Sequence, residues 1–427
     1  MYSCPTPTLS VAAFWTSVGR YAACLQAFGL RRGDRLAAQL GAIFLPLNAD
    51  YTPEEIDYFV TNAEPAIFVC QDQHLADYTI TSTSKRRGGK ERGSCSKQQL
   101  TFLGEQELSE RAEGTDPVIG ICAVEADDVA AICYTSGTTG KPKGAMITHC
   151  NLRRNAEALR ACWELNSGDV LLHALPINHA HGLFISLNSL LLAGGSCVFL
   201  PKFDMDVVLD WMPKFTVMMG VPTYYTRLLQ RSELCPELVA GVRLFISGSA
   251  PLLESSWEEF RQRTGGARIL ERYGMTEAQV ICSNPYAPAE GRRPGWVGAP
   301  LPGTQARVRN GVLEIKGPSV FKGYWRMPEL SRQLFTSDGF FKTGDLAELD
   351  EASGYVRILG RDKDMIITGG LNVYPKEEQT LLHYARERLA GYKTPKRVIW
   401  VDELPRNTMG KVQKNQLRQR YEQLFSV

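Results

Sequence analysis

The segment YTSGTTGKPKGAM, Tyr134–Met146, directly follows the apolar run VAAIC and is the most informative stretch of the chain. Four serine and threonine residues, three glycines and two lysines stand together at the predicted end of a buried strand. Backbone N–H groups of a glycine-rich turn can surround a polyphosphate, while hydroxyls add neutral donors and a lysine adds positive charge. A flexible surface turn is the alternative, but the length and density of the segment favour a phosphate-binding loop.

This loop is not a Walker A motif. That motif requires the pattern GxxxxGK[ST] at the start of a helix. Here Gly137 is followed too soon by Gly140, and Lys141 is followed by Pro142. The sequence therefore predicts a phosphate loop of a class other than that of the P-loop NTPases.

Apolar runs and helix-like segments alternate on both sides of the loop, beginning with a helix predicted over 14–29. Several apolar runs end in small, polar or charged residues, as in FTVMMGVP, VRLFISGSAPL and ARILERYGMTE. Such alternation indicates an α/β fold with doubly wound parallel sheets flanked by helices, which bind ligands beyond the carboxyl ends of their strands. We therefore expect one shared cleft at these ends. The polar segment 71–116 is predicted to be a long surface loop.

The pattern changes twice along the chain and predicts two domains. Residues 1–361 are expected to form a large N-terminal domain, in which about 295–361 is a β-barrel-like subdomain of short, glycine-punctuated strands. Residues 362–427 carry MIITGG near their start, end in a charged, helix-like tail and are expected to form a small α+β C-terminal domain. A unit of this size buries too little surface to be comfortably stable on its own.

Composition excludes several classes of function. The net charge is +2, with 48 lysines and arginines against 46 acidic residues, so no overall field favours nucleic acid or an anionic membrane. Eleven cysteines without a CxxC pair or a Cys/His cluster indicate reduced thiols rather than a disulfide framework or zinc site. The sequence lacks a secretion signal and any uncharged apolar run of membrane-spanning length. We therefore expect a cytoplasmic protein without stable membrane insertion, although an organelle remains an alternative.

Four further motifs carry side chains that could bind a ligand or take part in a reaction. In ERYGMTE a carboxylate, a hydroxyl and an aromatic ring stand together, a combination suited to Mg²⁺, phosphate and a purine face. KTGDL offers Asp345 for the hydroxyls of a ribose, and PRNTMGKVQK places Lys411 behind a glycine. HALPINHAHGLF holds three of the six histidines without a nearby carboxylate or cysteine, so pocket-lining histidines are favoured over zinc. Each motif alone is compatible with an ordinary surface turn.

Together these motifs resemble the signature blocks of the adenylate-forming superfamily. In order along the chain they are YTSGTTGKPKG, LPINHAHG, GVPTYYTRLL, SGSAPL, ERYGMTE, FKTGD, GRDKDMIITGGLNVYP and PRNTMGKVQK. The superfamily includes acyl-CoA synthetases, adenylation domains and luciferases. Within it, segments such as FLPKFD, VFKGYWRMPE and LPRNTMGKVQKN are most similar to malonyl-CoA synthetases. The resemblance implies a malonyl-adenylate made from malonate and ATP with release of pyrophosphate, followed by displacement of AMP by CoA.

The resemblance also implies roles for individual residues in nucleotide binding. It places Mg²⁺ on Glu277, the α-phosphate near Thr276, and Lys411 between the carboxylate and the phosphate in the first step. The ribose would contact Asp345 and Arg361. The expected loop around the β- and γ-phosphates is Thr135, Ser136, Gly137, Thr138, Thr139, Gly140 and Lys143, and the expected adenine pocket is Ser249, Ala250, Pro251, Tyr273 and Gly274.

Further positions follow for the acid, for CoA and for domain motion. His179 would gate the acyl pocket. A dicarboxylate needs a second cation, because an unpaired buried charge is costly, and the candidates are Arg272 first and Arg227 second, with His181 adding a hydrogen bond. Between the two steps the C-terminal domain would rotate about Asp362 and bring the Gly369–Gly370 loop to CoA.

Three joins are shorter than the resemblance implies. GDRLAAQ passes directly into LGAIFLPLN, RVRNGVLEIKG is abrupt, and NVYPKEE runs into QTLLHYARERLAGYKTPK without the expected central strands of the C-terminal domain. Three hypotheses therefore stay open. The chain is an acid–thiol ligase that prefers malonate, a ligase for another short-chain or aryl acid, or a truncated, non-catalytic nucleotide-binding relative. The oligomeric state is not predicted.

Overall fold

The computed structural model describes residues 9–34, 41–76, 100–135, 142–361, 366–368, 371–373, 404–407 and 411–421. The chain divides into two compact units. One contains Met1–Tyr134 with Lys143–His149, and the other contains Thr135–Pro142 with Cys150–Val427. Among the described residues, no helix is both long enough and apolar enough to cross a membrane.

The first unit begins with two capped helices. Helix α1, Val11–Ala27, starts where the Ser10 side chain accepts a hydrogen bond from the Ala13 N–H, and it agrees with the predicted helix. Helix α2, Pro53–Ala63, starts with a capping box, in which the side chains of Thr52 and Glu55 each accept from the other's backbone N–H. Strand β1, Ile67–Cys70, follows directly.

The prediction of a surface loop over 71–116 is wrong for its second half. Strand β2, Thr101–Gly104, pairs in parallel with β1, and helix α3, Glu105–Glu113, follows it. Leu103, Leu108 and Ala112 are buried in the core with residues of α1. Because β2 is only four residues long and α3 is mostly charged, their apolar positions are too few to show a clear period. Residues 77–99 of the predicted loop lie outside the described part of the chain.

Two further strands complete the first unit as the structure describes it. Strand β3, Val129–Thr135, ends at the predicted phosphate loop, and strand β4, Lys143–Thr148, begins after it. The two form a two-stranded sheet. Ala131 of β3 also makes a parallel bridge to Phe44.

The largest sheet of the second unit, within the described residues, has seven strands and confirms the predicted α/β class. Its order is β11–β10–β9–β8–β7–β5–β6, and the five strands β5 to β9 are parallel. Strands β10 and β11 extend it in antiparallel fashion. The bounds are β5 Val170–His173, β6 Ser196–Phe199, β7 Val217–Gly220, β8 Leu244–Ser247, β9 Leu270–Met275, β10 Gln279–Ser283 and β11 Ala299–Pro300.

Helices connect and cover these strands, and their apolar faces form the main core. Tyr225 and Phe260 lie in that core with Phe245 of β8, their rings meeting edge to face. A π-helix, His181–Asn188, runs directly into α5. The α-helices are α4 His149–Cys162, α5 Ser189–Ala193, α6 Met205–Trp211, α7 Pro222–Leu229, α8 Pro236–Val239 and α9 Glu254–Arg263.

The glycine-punctuated segments after Pro294 form an antiparallel sheet of four described strands. Their order is β12 Gln305–Arg309, β13 Val312–Lys316, β14 Phe341–Leu349 and β15 Val356–Arg361, with helix α10, Pro328–Leu334, between β13 and β14. Farther along, β16 Ile366–Thr368 pairs with β17 Leu371–Val373, and α11 spans Lys414–Tyr421. The expected domain boundary at Asp362 lies outside the described residues, so the two-domain division stays a prediction.

Candidate active site

The candidate site lies beyond the carboxyl ends of the parallel strands in the second unit. Ser249, Ala250 and Pro251 follow the end of β8, while Tyr273 and Gly274 lie in β9. Because β8 and β9 are adjacent and parallel, their carboxyl ends meet at one edge of the sheet. Thr276 and Glu277 occupy the turn between β9 and β10.

Arg272 is a buried cation that forms no ion pair with any residue the structure describes. Arg272 is 4% exposed, and its Nε and Nη2 atoms have no hydrogen-bond partner in the part of the chain that the structure describes. Burial lowers the pKa of the Arg272 guanidinium to about 9, which reflects the cost of desolvating a charge without neutralising it. Gly248 makes room for this group, since a Cβ there would lie 2.5 Å from Arg272 Cζ. The arrangement can accept an anion.

The predicted histidines His181 and His179 both have a pKa lowered by burial, and the charge of Arg272 lowers that of His181 further. His181 is 3% exposed, its Nδ1 lies 3.0 Å from Ser249 Oγ, and its Nε2 has no partner among the described atoms. Burial, and then the charge of Arg272, hold the pKa of His181 well below its usual value. Burial and Lys411 lower the pKa of His179 to about 4. At neutral pH both rings can donate or accept hydrogen bonds without adding charge.

Asp345 contacts two other residues that were predicted to bind the nucleotide, Tyr273 and Arg361. The Tyr273 hydroxyl donates to Asp345 Oδ2 at 2.5 Å, and Arg361 Nε lies 2.9 Å from Asp345 Oδ1. Burial and the carboxylate raise the pKa of Tyr273 well above its usual value, so the phenol stays protonated. Within β14, Thr343 Oγ1 accepts a hydrogen bond from the Asp345 N–H at 3.1 Å.

Glu277 is a buried carboxylate with one oxygen engaged by a tyrosine that the sequence analysis did not single out. The Tyr324 hydroxyl donates to Glu277 Oε1 at 2.7 Å, and the Glu277 residue is 5% exposed. A single carboxylate suits Mg²⁺, which proteins bind through one or two carboxylates together with substrate phosphates and water. The donor set therefore fits the metal that the resemblance implies.

Lys411 comes close to these charged groups. Its backbone N–H donates to Asn407 Oδ1 at 3.0 Å, and Asn407 donates back to the Lys411 carbonyl oxygen, which closes the turn. The residue as a whole is exposed, but its ammonium is largely desolvated by the surrounding protein, and this desolvation is the largest cause of its lowered pKa. Arg361 lowers the pKa further, whereas Asp345 and Glu277 oppose the shift.

Some predicted residues are not brought into this group. Arg227 is exposed on α7, and its guanidinium stacks 5.4 Å from the ring centroid of Phe203. Thr135 ends β3 and Lys143 begins β4, at the two ends of the predicted phosphate loop. The described part of the chain does not include Ser136, Gly137, Thr138, Thr139, Gly140, Asp362, Gly369 or Gly370.

Sequence reasoning missed Tyr324 and Gly248. Tyr324 lies 47 positions after Glu277, so no local pattern connects them. Gly248 was part of the quoted SGSAPL block, and a glycine directly after a buried strand can signal close approach by another group. That signal was present in the sequence but did not identify the approaching group.

A model of the AMP-binding enzyme family matches residues 3–325. The chain is 37% identical over 376 positions to a malonate–CoA ligase of Arabidopsis thaliana, an alignment that covers 69% of this chain and 61% of that protein. It is 30% identical over 485 positions to a feruloyl-CoA synthase of an Amycolatopsis species, with coverage of 97% and 94%. The ATP-bound crystal structure of MatB from Rhodopseudomonas palustris is similar with a TM-score of 0.89 and 44% identity, covering 98% of this chain and 94% of that one.

The length of one alignment bears on the shortened joins. The alignment with the feruloyl-CoA synthase extends over 485 positions, which exceeds the 427 residues of this chain. That relative therefore has residues at internal positions where this chain has none. The family match itself covers well over half of the sequence, and the structural similarity extends over almost all of it. The chain belongs to the AMP-binding enzyme family.

Proposed function

We propose that the chain is an ATP-dependent acid–CoA ligase that converts malonate, ATP and CoA to malonyl-CoA, AMP and pyrophosphate. The observation that carries the proposal is Arg272, a buried guanidinium at the carboxyl end of the parallel sheet, whose Nε and Nη2 have no hydrogen-bond partner among the described residues. The match to a malonate–CoA ligase and the similarity to MatB support the same activity.

Arg272 supports a dicarboxylate because an acid with one carboxylate uses that group in the reaction. The reacting carboxylate must reach the α-phosphorus of ATP, so a cation deep in the acyl pocket would remain unpaired. A second carboxylate would neutralise Arg272 and accept from its free Nε and Nη2 donors. His181 Nε2 lies in the same buried environment and would supply a further neutral hydrogen bond.

The reaction has two balanced steps. In the first, a carboxylate oxygen of malonate forms a bond to the α-phosphorus of ATP while the bond from that phosphorus to pyrophosphate breaks. In the second, the sulfur of CoA forms a bond to the acyl carbon while the bond from that carbon to the oxygen of AMP breaks, and the thiol proton passes to solvent. No side chain has to act as a nucleophile, so the protein's contribution is positioning and electrostatic stabilisation.

Each residue of the site would have its own part in positioning the substrates and stabilising their charge. Lys411 would neutralise charge between the acid and the α-phosphate, Thr276 would contact that phosphate, and Asp345 with Arg361 would hold the ribose. Glu277 would hold Mg²⁺, which when bound supplies positive charge to the phosphate oxygens. His179, neutral at the working pH, would stand at the entrance of the acyl pocket.

The remaining predicted roles complete the proposal. The loop from Thr135 to Lys143 would surround the β- and γ-phosphates, and the Gly369–Gly370 loop would approach CoA after rotation about Asp362. The protein would act in a reducing, cytoplasmic compartment or an organelle matrix, in keeping with nine described cysteines that form no disulfide with one another.

An aryl-acid ligase is the second candidate, because the feruloyl-CoA synthase matches over 97% of this chain. Arg272 argues against it, since an aromatic side chain offers no anion to a buried guanidinium.

The test is acid-dependent exchange of labelled pyrophosphate into ATP, with formation of the CoA thioester followed in parallel. Malonate, methylmalonate, acetate and benzoate are compared on purified, folded protein. We expect exchange and thioester with malonate. Exchange only with benzoate would favour the aryl-acid ligase, and no exchange with any acid would favour a non-catalytic relative.

A further inference from the structure

The hydroxyl of Tyr324 contacts the carboxylate that is assigned to the metal, although Tyr324 itself is remote from Glu277 in sequence. We propose that Tyr324 is a positioning residue, which orients the Glu277 carboxylate so that it can hold the Mg²⁺ of Mg·ATP. This inference rests on the nucleotide and metal part of the proposed function and is independent of which acid the enzyme uses.

The segment from Phe321 to Tyr324 donates hydrogen bonds to both the backbone and the side chain of Glu277. The Phe321 N–H donates to the Glu277 carbonyl oxygen at 2.7 Å, and the Tyr324 hydroxyl donates to Glu277 Oε1 at 2.7 Å. All three residues are buried. Two hydrogen bonds from residues three positions apart define both the position of the Glu277 backbone and the direction of its carboxylate.

Tyr324 is itself held firmly, so its hydroxyl occupies a defined position. Its backbone N–H donates to Ser331 Oγ at 2.8 Å, and Ser331 Oγ donates to the Met327 carbonyl oxygen at 2.8 Å. The Tyr324 ring packs edge to face on Phe321, with centroids 4.9 Å apart. Phe321 in turn packs edge to face on Phe341 of β14.

The contact leaves the Glu277 carboxylate able to bind a metal. The Tyr324 hydroxyl donates and the carboxylate accepts through a single oxygen, Oε1. A carboxylate oxygen has two lone pairs, so one hydrogen bond to Oε1 leaves capacity on both oxygens for a metal.

The consequence is preorganisation of a metal ligand. A buried carboxylate without this hydrogen bond could rotate toward the nearby ammonium of Lys411, whose pKa already responds to Glu277. Groups that orient a metal ligand commonly contribute about 10-fold or more to metal affinity. Tyr324 has the geometry of such a group.

The experiment uses the full chain with saturating α,β-methylene-ATP, a nonhydrolysable analogue, and measures the melting temperature as Mg²⁺ is raised. The readout is the Mg²⁺ concentration at half of the stabilisation, which requires no acid, CoA or turnover. Tyr324→Phe removes only the hydroxyl. Tyr355→Phe is the matched control, because the Tyr355 hydroxyl donates at 3.0 Å to the Gly291 carbonyl oxygen and not to Glu277. Glu277→Gln shows how the melting temperature responds to Mg²⁺ when the proposed metal ligand is removed.

We expect the Mg²⁺ midpoint of Tyr324→Phe to rise about 10-fold, while Tyr355→Phe keeps the parent value. In the absence of Mg²⁺, the parent, Tyr324→Phe and Tyr355→Phe should bind the analogue with equal affinity. A Tyr324→Phe midpoint within about twofold of the control would overturn the proposal. So would an unchanged Mg²⁺ response in Glu277→Gln, or the absence of any Mg²⁺ response in the parent.

A second variant keeps the proposal testable if Tyr324→Phe does not fold. Ser331→Ala removes the acceptor of the Tyr324 N–H and should raise the Mg²⁺ midpoint about threefold through the same hydroxyl. An unchanged midpoint in a folded Ser331→Ala protein would then overturn the proposal. The titration contains no acid substrate. Its outcome therefore does not bear on whether malonate is the substrate, which the exchange experiment tests separately.

Discussion

The phenolic hydroxyl of Tyr273 donates a hydrogen bond to Asp345 Oδ2 across 2.5 Å. Arg361 occupies the other oxygen of the same carboxylate at 2.9 Å. Asp345 is thus engaged at both oxygens before any ribose arrives. A ribose hydroxyl that donates to Asp345 must share or displace one of these contacts.

This competition predicts that Tyr273→Phe binds ATP more tightly than the parent. The change keeps the ring that would cover adenine and frees Asp345 Oδ2 for ribose. The net contribution of one such hydrogen bond is about 1 kcal/mol, so we expect about fivefold tighter binding and a lower melting temperature without nucleotide. Isothermal titration with α,β-methylene-ATP measures the affinity, and Tyr355→Phe is the control. Weaker binding by Tyr273→Phe would show that the hydroxyl itself contacts the nucleotide.

The unpaired charge of Arg272 predicts an effect on stability. Arg272→Met replaces a buried, unneutralised guanidinium with an apolar side chain, so we expect the free energy of unfolding to rise by about 1 kcal/mol or more in the absence of ligand. Urea denaturation with and without malonate measures it. Malonate should stabilise the parent and leave Arg272→Met unchanged. A clearly less stable variant would mean that Arg272 makes structural contacts that outweigh its desolvation.

The close approach of Gly248 to Arg272 predicts a loss of function from a single methyl group. A Cβ at position 248 would lie 2.5 Å from both Nε and Cζ of Arg272, so Gly248→Ala must displace the guanidinium. We expect KM for malonate to rise about 10-fold or more, with KM for ATP little changed. Gly241→Ala is the control, because its nearest neighbour would be an ordinary 3.6 Å away. Equal malonate kinetics in the two variants would remove the argument from close approach.

The lowered pKa of Lys411 predicts a pH dependence. The Lys411 ammonium loses its proton at a lower pH than an ordinary lysine, so the adenylation rate should fall with rising pH before about 10.4, the usual value for lysine. Lys411→Arg should move this alkaline limb upward, since a guanidinium keeps its proton. Pyrophosphate exchange measured against pH tests both statements. An identical alkaline limb in the two proteins would exclude Lys411 as the titrating group.

Features with a local signature could be predicted from the sequence. The period of α1, the polar endings of the parallel strands and the dense loop after β3 each occupy a short segment, and they led to the α/β class and to the site residues of β9. Charged Arg272 and aromatic Tyr273 stand next to each other there. In the structure burial and the charge of Arg272 lower the pKa of His181, and the Tyr273 hydroxyl donates to Asp345.

Features that depend on distant residues could not be predicted. Strand β2 and helix α3 carry few apolar positions, and their burial depends on α1, more than 70 residues earlier in the chain. The contact of Tyr324 with Glu277 crosses 47 positions and connects the turn between β9 and β10 to the segment between β13 and α10. Burial of Arg272 depends on the absence of a side chain at Gly248, which propensity and periodicity do not register.

The most direct test of the central claim is the selectivity of the parent and of Arg272→Met, measured as the ratio of kcat/KM for malonate to that for acetate in thioester formation. We expect a parent ratio far above one, and a fall of about 100-fold in Arg272→Met through loss of malonate activity, with acetate activity retained. An unchanged ratio would contradict the assignment of Arg272 to the second carboxylate, and with it the argument for malonate.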